Sequence, residues 1–308
     1  MEILRSIGEL SRLRGPVVLS IGVFDGIHLG HQAVLRRALE DAKSVDGTPV
    51  ALTFEPHPLR VLRPGHAPRL LTSAAHKARL IEAEGFPYLL VVPFDLDFAA
   101  QPPEVFIRGL AAAARPLRQI CVGENWAFGA KRSGNVALLR ALGGELDFSV
   151  AEVGAVQMDG GTVSSTRIRE AVERGDLAAA RRLLGRDYTI LGTVEAGARL
   201  GREIGFPTAN LRAHNEQFPP DGVYAVRVAL DGRTWKGVAN IGYRPTVTGG
   251  DAERKLEVHL FEFTGDLYGR DLDVDFIRFL RGEQKFSGLE ALKAQIASDV
   301  AQAREVLG

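Results

Sequence analysis

The chain has a single cysteine, Cys121, among 308 residues. That excludes an internal disulfide and a zinc site caged by thiolates. It has no excess of charge of either sign, with 38 Lys and Arg against 38 Asp and Glu. A zero balance argues against a chain whose main task is to grip a nucleic-acid backbone. No apolar run reaches the roughly 18 residues of a membrane span. The opening MEILRSIGEL lacks the apolar core of a secretion signal, so a cytoplasmic chain with no membrane and no nucleic-acid partner is the expectation. Internal repeats, low-complexity tracts, a long flexible linker and the Gly-x-x-x-x-Gly-Lys-Ser/Thr pattern of a P-loop are also missing. What remains is ordinary globular composition, 45% hydrophobic and 25% charged, which excludes disordered and collagen-like chains. At roughly 100–200 residues per domain, the length predicts two domains.

The first 185 residues alternate between strand and helix patterns. Pro16–Phe24 (PVVLSIGVF) is a short Val- and Ile-rich run bounded by Gly15 and Asp25-Gly26, as in a buried parallel strand. Gln32–Lys43 follows with Val34, Leu35, Ala38, Leu39 and Ala42 on one helical stripe. Further strands are predicted at Val50–Phe54, Tyr88–Val92, Gln119–Val122 and Asp147–Val153. Helices are predicted at Ala74–Ala83, Pro103–Ala114, Val136–Leu142, Thr166–Arg174 and Leu177–Leu184. This alternation implies a doubly wound α/β sheet. After Gly185 the texture changes to short alternating segments, Tyr224–Ala229, Trp235–Ile241, Leu256–Phe263 and Asp273–Phe279. Turn signals separate them at Asp221-Gly222, Asp231-Gly232, Gly249-Gly250 and Tyr268-Gly269. Many short strands with Gly-rich turns suggest a barrel or sandwich. A helical run, Leu289–Val306, ends the chain. The expected domains are therefore 1–185 and 186–308.

The first strand runs through Gly22-Val23-Phe24-Asp25-Gly26-Ile27-His28-Leu29-Gly30-His31 directly into a helix. A helix start presents unpaired N–H groups and a positive dipole end, which attract phosphate. His28 and His31, three apart, lie on one face of a helical turn. Gly30 leaves room for a phosphate to approach the backbone. The carboxyl end of a strand is where open α/β sheets bind ligands. Two imidazoles there can donate to a pentavalent phosphorus transition state. The plainer alternative is a pair of surface or core histidines. Downstream, Val163-Ser164-Ser165-Thr166-Arg167-Ile168-Arg169 precedes a helix. Its hydroxyls are either an N-cap or, with a guanidinium, a phosphate clamp.

These residues resemble the nucleotidyltransferase superfamily, although no Lys-Met-Ser-Lys-Ser loop is present. The early Gly-x-Phe-Asp-Gly-x-His-x-Gly-His and late Ser-Ser-Thr-x-Ile-Arg patterns together look like the adenylyltransferase half of bifunctional riboflavin kinase/FAD synthetases. Thr53-Phe54-Glu55-Pro56-His57-Pro58 is similar to that family's flavin-proximal segment. Gly123-Glu124-Asn125-Trp126-Ala127-Phe128-Gly129, with Arg132 and Gly134, is similar to its central loop, with Trp126 where Phe is more usual. The resemblance implies that His28 and His31 stabilise the phosphorus transition state. It implies that Gly22, Phe24, Asp25, Gly30, Asn125, Ser164, Ser165, Thr166 and Arg169 bind nucleotide and phosphates. Phe54, Pro56, His57 and Phe128 would line the flavin end, with a rigid loop residue as the alternative for His57. Cys121, at the end of a predicted strand, reads as a packing residue.

The second domain opens with Gly197, Gly201 and Gly205 at every fourth position, then Phe206-Pro207-Thr208-Ala209-Asn210. Glycine-rich loops are mostly turns. Pro207 fixes the backbone, and Thr208 and Asn210 face one side of an extended segment. Their neutral oxygens suit Mg²⁺ held together with nucleotide phosphates. In Leu256-Glu257-Val258-His259-Leu260 the alternation sets Glu257 opposite an apolar face, either as a solvent-facing carboxylate or as a general base. These stretches, with Pro220-Asp221-Gly222-Val223-Tyr224, Asn240-Ile241-Gly242-Tyr243-Arg244-Pro245-Thr246, Asp266-Leu267-Tyr268-Gly269 and Phe279-Leu280-Arg281, are similar to riboflavin kinases, in the family's order.

The resemblance spans nearly the whole chain. It implies a Rossmann-like nucleotidyltransferase domain, then a six-stranded riboflavin-kinase β-barrel with a C-terminal helix. Gly197, Arg199, Gly201, Gly205, Pro207 and Arg281 would contact substrates. Thr208 and Asn210 would hold Mg²⁺ and ATP, and Glu257 would deprotonate the ribityl hydroxyl. The implied function is two-step: riboflavin is phosphorylated to FMN, and FMN is adenylylated to FAD, with ATP used in both steps. The alternative is a single-activity adenylyltransferase with a non-catalytic flavin-binding barrel. A flavin-responsive regulatory protein that keeps the fold without chemistry is a further rival. Oligomeric state is not legible, which leaves a homo-oligomer open.

Overall fold

A computed structural model describes residues 1–196, 205–244 and 253–308. The chain forms two compact units, Met1–Pro68 with Ala74–Ser165, and Arg69–Ser73 with Thr166–Gly308. The expected boundary at 185 falls inside the second unit. Two helices preceding it, Ser165–Glu173 and Leu177–Leu184, run on from the first unit's last residue, and the latter packs against strands of the second unit.

In chain order the first unit carries β1 (Glu2–Leu4), β2 (Val17–Ile21), α1 (Leu29–Ser44), β3 (Thr48–Glu55), α2 (Pro58–Leu62), α3 (Ala74–Ala83), β4 (Tyr88–Pro93), α4 (Leu96–Ala99), α5 (Pro103–Ala113), β5 (Leu117–Gly123), α6 (Val136–Leu146), β6 (Ser149–Val153), β7 (Gln157–Met158) and β8 (Gly161–Thr162). Six strands form one parallel sheet in the order β1-β4-β3-β2-β5-β6. The order reverses at β2, the switch point where α/β sheets open a crevice. Strand β2 is buried along its whole length. Val17, Leu19 and Ile21 join one apolar cluster, while Val18 joins another with Leu35 and Ala38 of α1. Alternate side chains thus enter the two layers that sandwich the sheet. Each such fully buried aliphatic side chain contributes about 1.5–3 kcal/mol.

Helix α1 starts three residues before the expected Gln32, because His28 caps it. Strand β2 stops at Ile21, short of the expected Phe24, because Phe24 takes a left-handed φ of 54°. Short elements with too few residues to show a period, β1, α2 and α4, were not predicted.

The second unit continues with α7 (Ser165–Glu173), α8 (Leu177–Leu184), β9 (Tyr188–Glu195), β10 (Ala209–Ala213), β11 (Gly222–Leu230), β12 (Arg233–Arg244), β13 (Glu253–Leu260), β14 (Asp271–Arg281) and α9 (Leu289–Leu307). Six strands close a barrel in the order β10-β13-β12-β11-β14-β9. All its pairings are antiparallel. Asp231 and Gly232, both at positive φ, make the two-residue hairpin between β11 and β12, the turn that suits twisted strands. Gly222 opens β11 at φ 146°, and a Cβ there would lie 2.4 Å from the Arg281 carbonyl oxygen, so no side chain fits. Tyr224 and Phe276 meet edge to face in the interior, 5.2 Å between centroids. Helix α9 lays Ala303 and Leu307 over Val223, Ala225, Val238 and Phe261. The predicted turn at Gly249-Gly250 lies outside the described residues. No described helix is long and apolar enough to cross a membrane.

One partly buried carboxyl records a cost of this barrel. Asp275 on β14 accepts a 2.6 Å hydrogen bond from Thr189 Oγ1. Burial raises its pKa from 3.8 to about 6, against the pull of that bond and with help from Asp187 and Asp273. The folded state therefore holds the proton more tightly than the unfolded chain. Stability falls as pH rises through the window from 3.8 to about 6 and stays at its lower level above it. Asp275→Asn should remove this slope and raise the urea midpoint at neutral pH. Urea titrations of both proteins across that window check it, and an unchanged slope in the variant would contradict the assignment.

Candidate active sites

The loop after β2 is an unusual piece of backbone. Phe24 and Ile27 have φ of 54° and 41°, and Gly26 lies between them at 84°. Left-handed backbone costs a non-glycine residue roughly 1–2 kcal/mol, so this turn needs external support. Side chains supply it. Thr53 Oγ1 donates to the Val23 carbonyl at 3.0 Å, Ser165 Oγ to the Asp25 carbonyl at 2.9 Å, and Gln32 Nε2 to the Ile27 carbonyl at 2.9 Å. The three come from β3, the first residue of α7, and α1.

The turn delivers His28 to the start of α1. His28 is 6% exposed, and its Nδ1 accepts from the His31 N–H at 3.2 Å. The two imidazoles stack with centroids 3.6 Å apart and planes 16° apart. Phe24, buried, meets His31 edge-on at 5.4 Å. A Cβ on Gly30 would come within 3.1 Å of the His28 ring and 3.8 Å of the Val163 carbonyl. A side chain at Gly30 would thus crowd the His28 ring by a few tenths of an ångström. At Gly22 a Cβ would lie 2.7 Å from the Phe24 ring. Asp25 is buried within the turn. The His28 Nδ1 bond to a backbone N–H leaves Nε2 as the proton-bearing nitrogen.

The other expected residues of this half are arranged as follows. Ser164 and Ser165 are partly buried at the start of α7, and Ser165 is committed to the Asp25 carbonyl. Thr166 and Arg169 follow in the second unit, where Arg169 Nε donates to the Arg69 carbonyl at 2.7 Å. Asn125 is exposed beside Glu124. Phe54 is buried among Phe94, Phe98 and Phe106. His57 caps α2, its Nδ1 accepting from the Leu59 N–H at 3.1 Å, while Pro56 is exposed. Phe128 is buried under Trp126, stacked at 4.3 Å, so the larger indole serves as a lid on that ring. Cys121 is fully buried, and burial together with nearby Asp41 pushes its thiol up to about 12. It packs, and it is no nucleophile at neutral pH.

In the barrel, register builds a polar row. Glu195 of β9 faces Asn210 of β10, Asn210 faces Glu257 of β13, and Glu257 faces Asn240 of β12. Directly opposed residues point to the same face. Leu256, Val258 and Leu260 are buried while Glu257 and His259 are not, as the alternation predicts. Asn240 alternates with buried Ala239 and Ile241 in the same way. That signal was open to the reasoning applied to Glu257. Arg212 Nε engages Glu195 at 2.6 Å. His259 Nδ1–H donates to the Pro207 carbonyl at 2.8 Å, and its ring meets Phe206 edge-on at 5.7 Å. Strand β13 thereby steadies the segment that presents Thr208.

Thr208 and Asn210 line a cavity of about 280 Å³ with Glu195, Asp266 and Tyr268. Glu257 stands beside it in the row, outside the lining. Two neutral oxygens with two carboxylates in one cavity are hard donors that fit a magnesium ion shared with phosphates. Gly205 has a left-handed φ of 88°. Gly197, Arg199 and Gly201 lie outside the described residues. The Arg281 guanidinium pairs with buried Asp299 of α9, at 2.8 Å from Nε and 2.7 Å from Nη2, which ties the final helix to the barrel.

The ring pair carries a direct test. Gly30→Ala should force the His28 and His31 rings apart. Proton NMR of the imidazole signals should show their mutual ring-current shifts reduced, with the melting temperature held. Unaltered shifts would mean that the rings do not depend on the glycine.

The FAD synthetase family model matches residues 11–167, and the Riboflavin kinase model matches residues 184–307. A bifunctional riboflavin kinase/FMN adenylyltransferase of Haemophilus influenzae is 39% identical over 99% of this chain and 98% of its own. That of Escherichia coli K12 is 40% identical over 100% and 98%. Among solved structures, a Streptococcus pneumoniae chain described as a macrolide-efflux protein superposes with TM-score 0.83 at 29% identity, covering 99% of both chains. The efflux description belongs to that protein. With both models matched in order and full-length identity near two in five, this chain belongs to the bifunctional riboflavin kinase/FMN adenylyltransferase family.

Proposed function

We propose that the two halves of this chain, 1–185 and 186–308, each carry one step of flavin cofactor synthesis, on the residues described above. The chain is a riboflavin kinase and an FMN adenylyltransferase. The observation that carries the two-step reading is the presence of both family models, in order, on one chain.

In the barrel, the terminal ribityl hydroxyl of riboflavin attacks the γ-phosphorus of ATP, and ADP leaves. Glu257 takes the hydroxyl proton. Thr208 and Asn210 would hold Mg²⁺, which when bound neutralises phosphate charge. The row Asn210–Glu257–Asn240 supports this reading. A barrel that merely binds flavin needs no carboxylate there. Gly197, Arg199, Gly201, Gly205 and Pro207 would contact the substrates.

In the first half, an FMN phosphate oxygen attacks the α-phosphorus of a second ATP, and pyrophosphate leaves. The His28 and His31 imidazoles donate to the phosphoryl oxygens as charge builds. Their stacked, capped geometry supports the reading, because rings already oriented need no reorganisation. Ser164, Thr166, Arg169 and Asn125 would bind nucleotide, with Phe54, Pro56, His57 and Phe128 at the flavin end. The partners are small molecules, riboflavin, FMN and ATP, in a chain expected to be cytoplasmic.

Chromatography of flavins over time, with riboflavin, ATP and MgCl₂, should show FMN rising and then giving way to FAD. His28→Ala should stop FAD formation and spare FMN formation. Glu257→Ala should slow FMN formation by about a hundred- to ten-thousand-fold, as loss of a general base does, while supplied FMN is still adenylylated. FAD formed at the unmutated rate by His28→Ala would overturn the role given to that histidine.

A further inference from the structure

A buried lysine in the first unit has no part in the chemistry derived so far. Lys77, on α3, is 5% exposed, and its Nζ donates to Thr53 Oγ1 at 3.4 Å. Burial lowers its pKa, while the carboxylates of Glu55 and Asp25 pull it back up. Both carboxylates stand at the carboxyl ends of neighbouring strands, Glu55 closing β3 and Asp25 in the turn after β2. Placing an ammonium there is unfavourable relative to an aliphatic side chain unless it is compensated. Packing alone would be better served by Leu or Met.

Thr53 connects this cation to the turn. It is 2% exposed, accepts from Lys77, and donates its own proton to the Val23 carbonyl at 3.0 Å. A threonine hydroxyl has one proton. The ammonium can only donate, so the hydroxyl proton is directed to the carbonyl. Val23 immediately precedes Phe24, the first left-handed residue of the turn that carries His28. Among the side chains that hold the turn's carbonyls, Thr53 is oriented by the Lys77 ammonium as Gln32 is by the Arg36 guanidinium, which donates to Gln32 Oε1 at 3.0 Å.

We propose that Thr53 and Lys77 are positioning residues for adenylyl transfer, a two-member relay that holds the Val23 carbonyl and so sets the height and tilt of the stacked His28–His31 pair. The inference rests on the adenylyl-transfer reading of that pair. Neither residue touches the reacting atoms. Their effect is on how well the imidazoles are aimed, and therefore on kcat more than on ATP binding.

The test uses the full chain. Thr53→Val keeps the volume and deletes the hydroxyl, Thr53→Ser keeps the hydroxyl, and Lys77→Met deletes the charge. With FMN and ATP as substrates, Thr53→Val and Lys77→Met should lower kcat by about tenfold to a hundredfold, the scale of an ångström-level misplacement. KM for ATP should change little, and Thr53→Ser should recover most of the rate. Riboflavin phosphorylation, measured on the same samples, should be unaltered. An unchanged kcat in Thr53→Val, or Thr53→Ser as slow as Thr53→Val, would overturn the relay. So would a loss seen only in KM, or one matched by equal loss of phosphorylation. His28→Ala is run alongside. If it still adenylylates FMN, the underlying reading has failed. If it is inactive while Thr53→Val is normal, only the relay has failed.

Discussion

The adenylyl-transfer half depends on holding two residues of backbone in a conformation they do not favour. Phe24 and Ile27 sit left-handed on either side of Gly26. The turn they make lets a strand at the centre of a sheet pass straight into a helix whose cap is an imidazole. Side chains of neighbouring elements support that geometry, through hydrogen bonds from Thr53, Ser165 and Gln32 to alternate carbonyls. Because the donors come from three separate elements, the turn exists only when the sheet and its flanking helices have assembled.

The barrel solves a different problem by register. Antiparallel pairing sets side chains from different strands opposite one another, and period-2 alternation separates them from the core. Glu195, Asn210, Glu257 and Asn240 become neighbours across four strands although Glu195 and Glu257 lie more than sixty positions apart in sequence. The interior is left to Tyr224, Phe276 and aliphatic residues. Arg281, which family likeness marks as a ligand contact, is held by Asp299. Its fork anchors α9, and a bidentate pair of this kind is strong because it is largely removed from solvent.

Much of this was legible in the chain. The α/β alternation, the change of texture after Gly185, the His-x-Gly-His step into a helix and the alternation around Glu257 all have local causes. The period of a strand or helix and the freedom of glycine are written within a few residues. Element ends were less legible. β2 ends early and α1 begins early because of the same turn, whose left-handed residues include Phe24 and Ile27 rather than glycine alone. Lys77 and Thr53 were invisible as a pair, since nothing in their separation of 24 positions links them.

The sequence by itself determined the two domain types and the order of their motifs, because motif and periodicity are short-range properties. Only the tertiary structure decided which residues do the holding. It set Ser165, Gln32 and Thr53 on the turn, set Gly30 close against the His28 ring, and paired Arg281 with Asp299. The physical reason is that a hydrogen bond or a close contact needs atoms within a few ångströms, and distance in a folded chain is set by packing rather than by position along it.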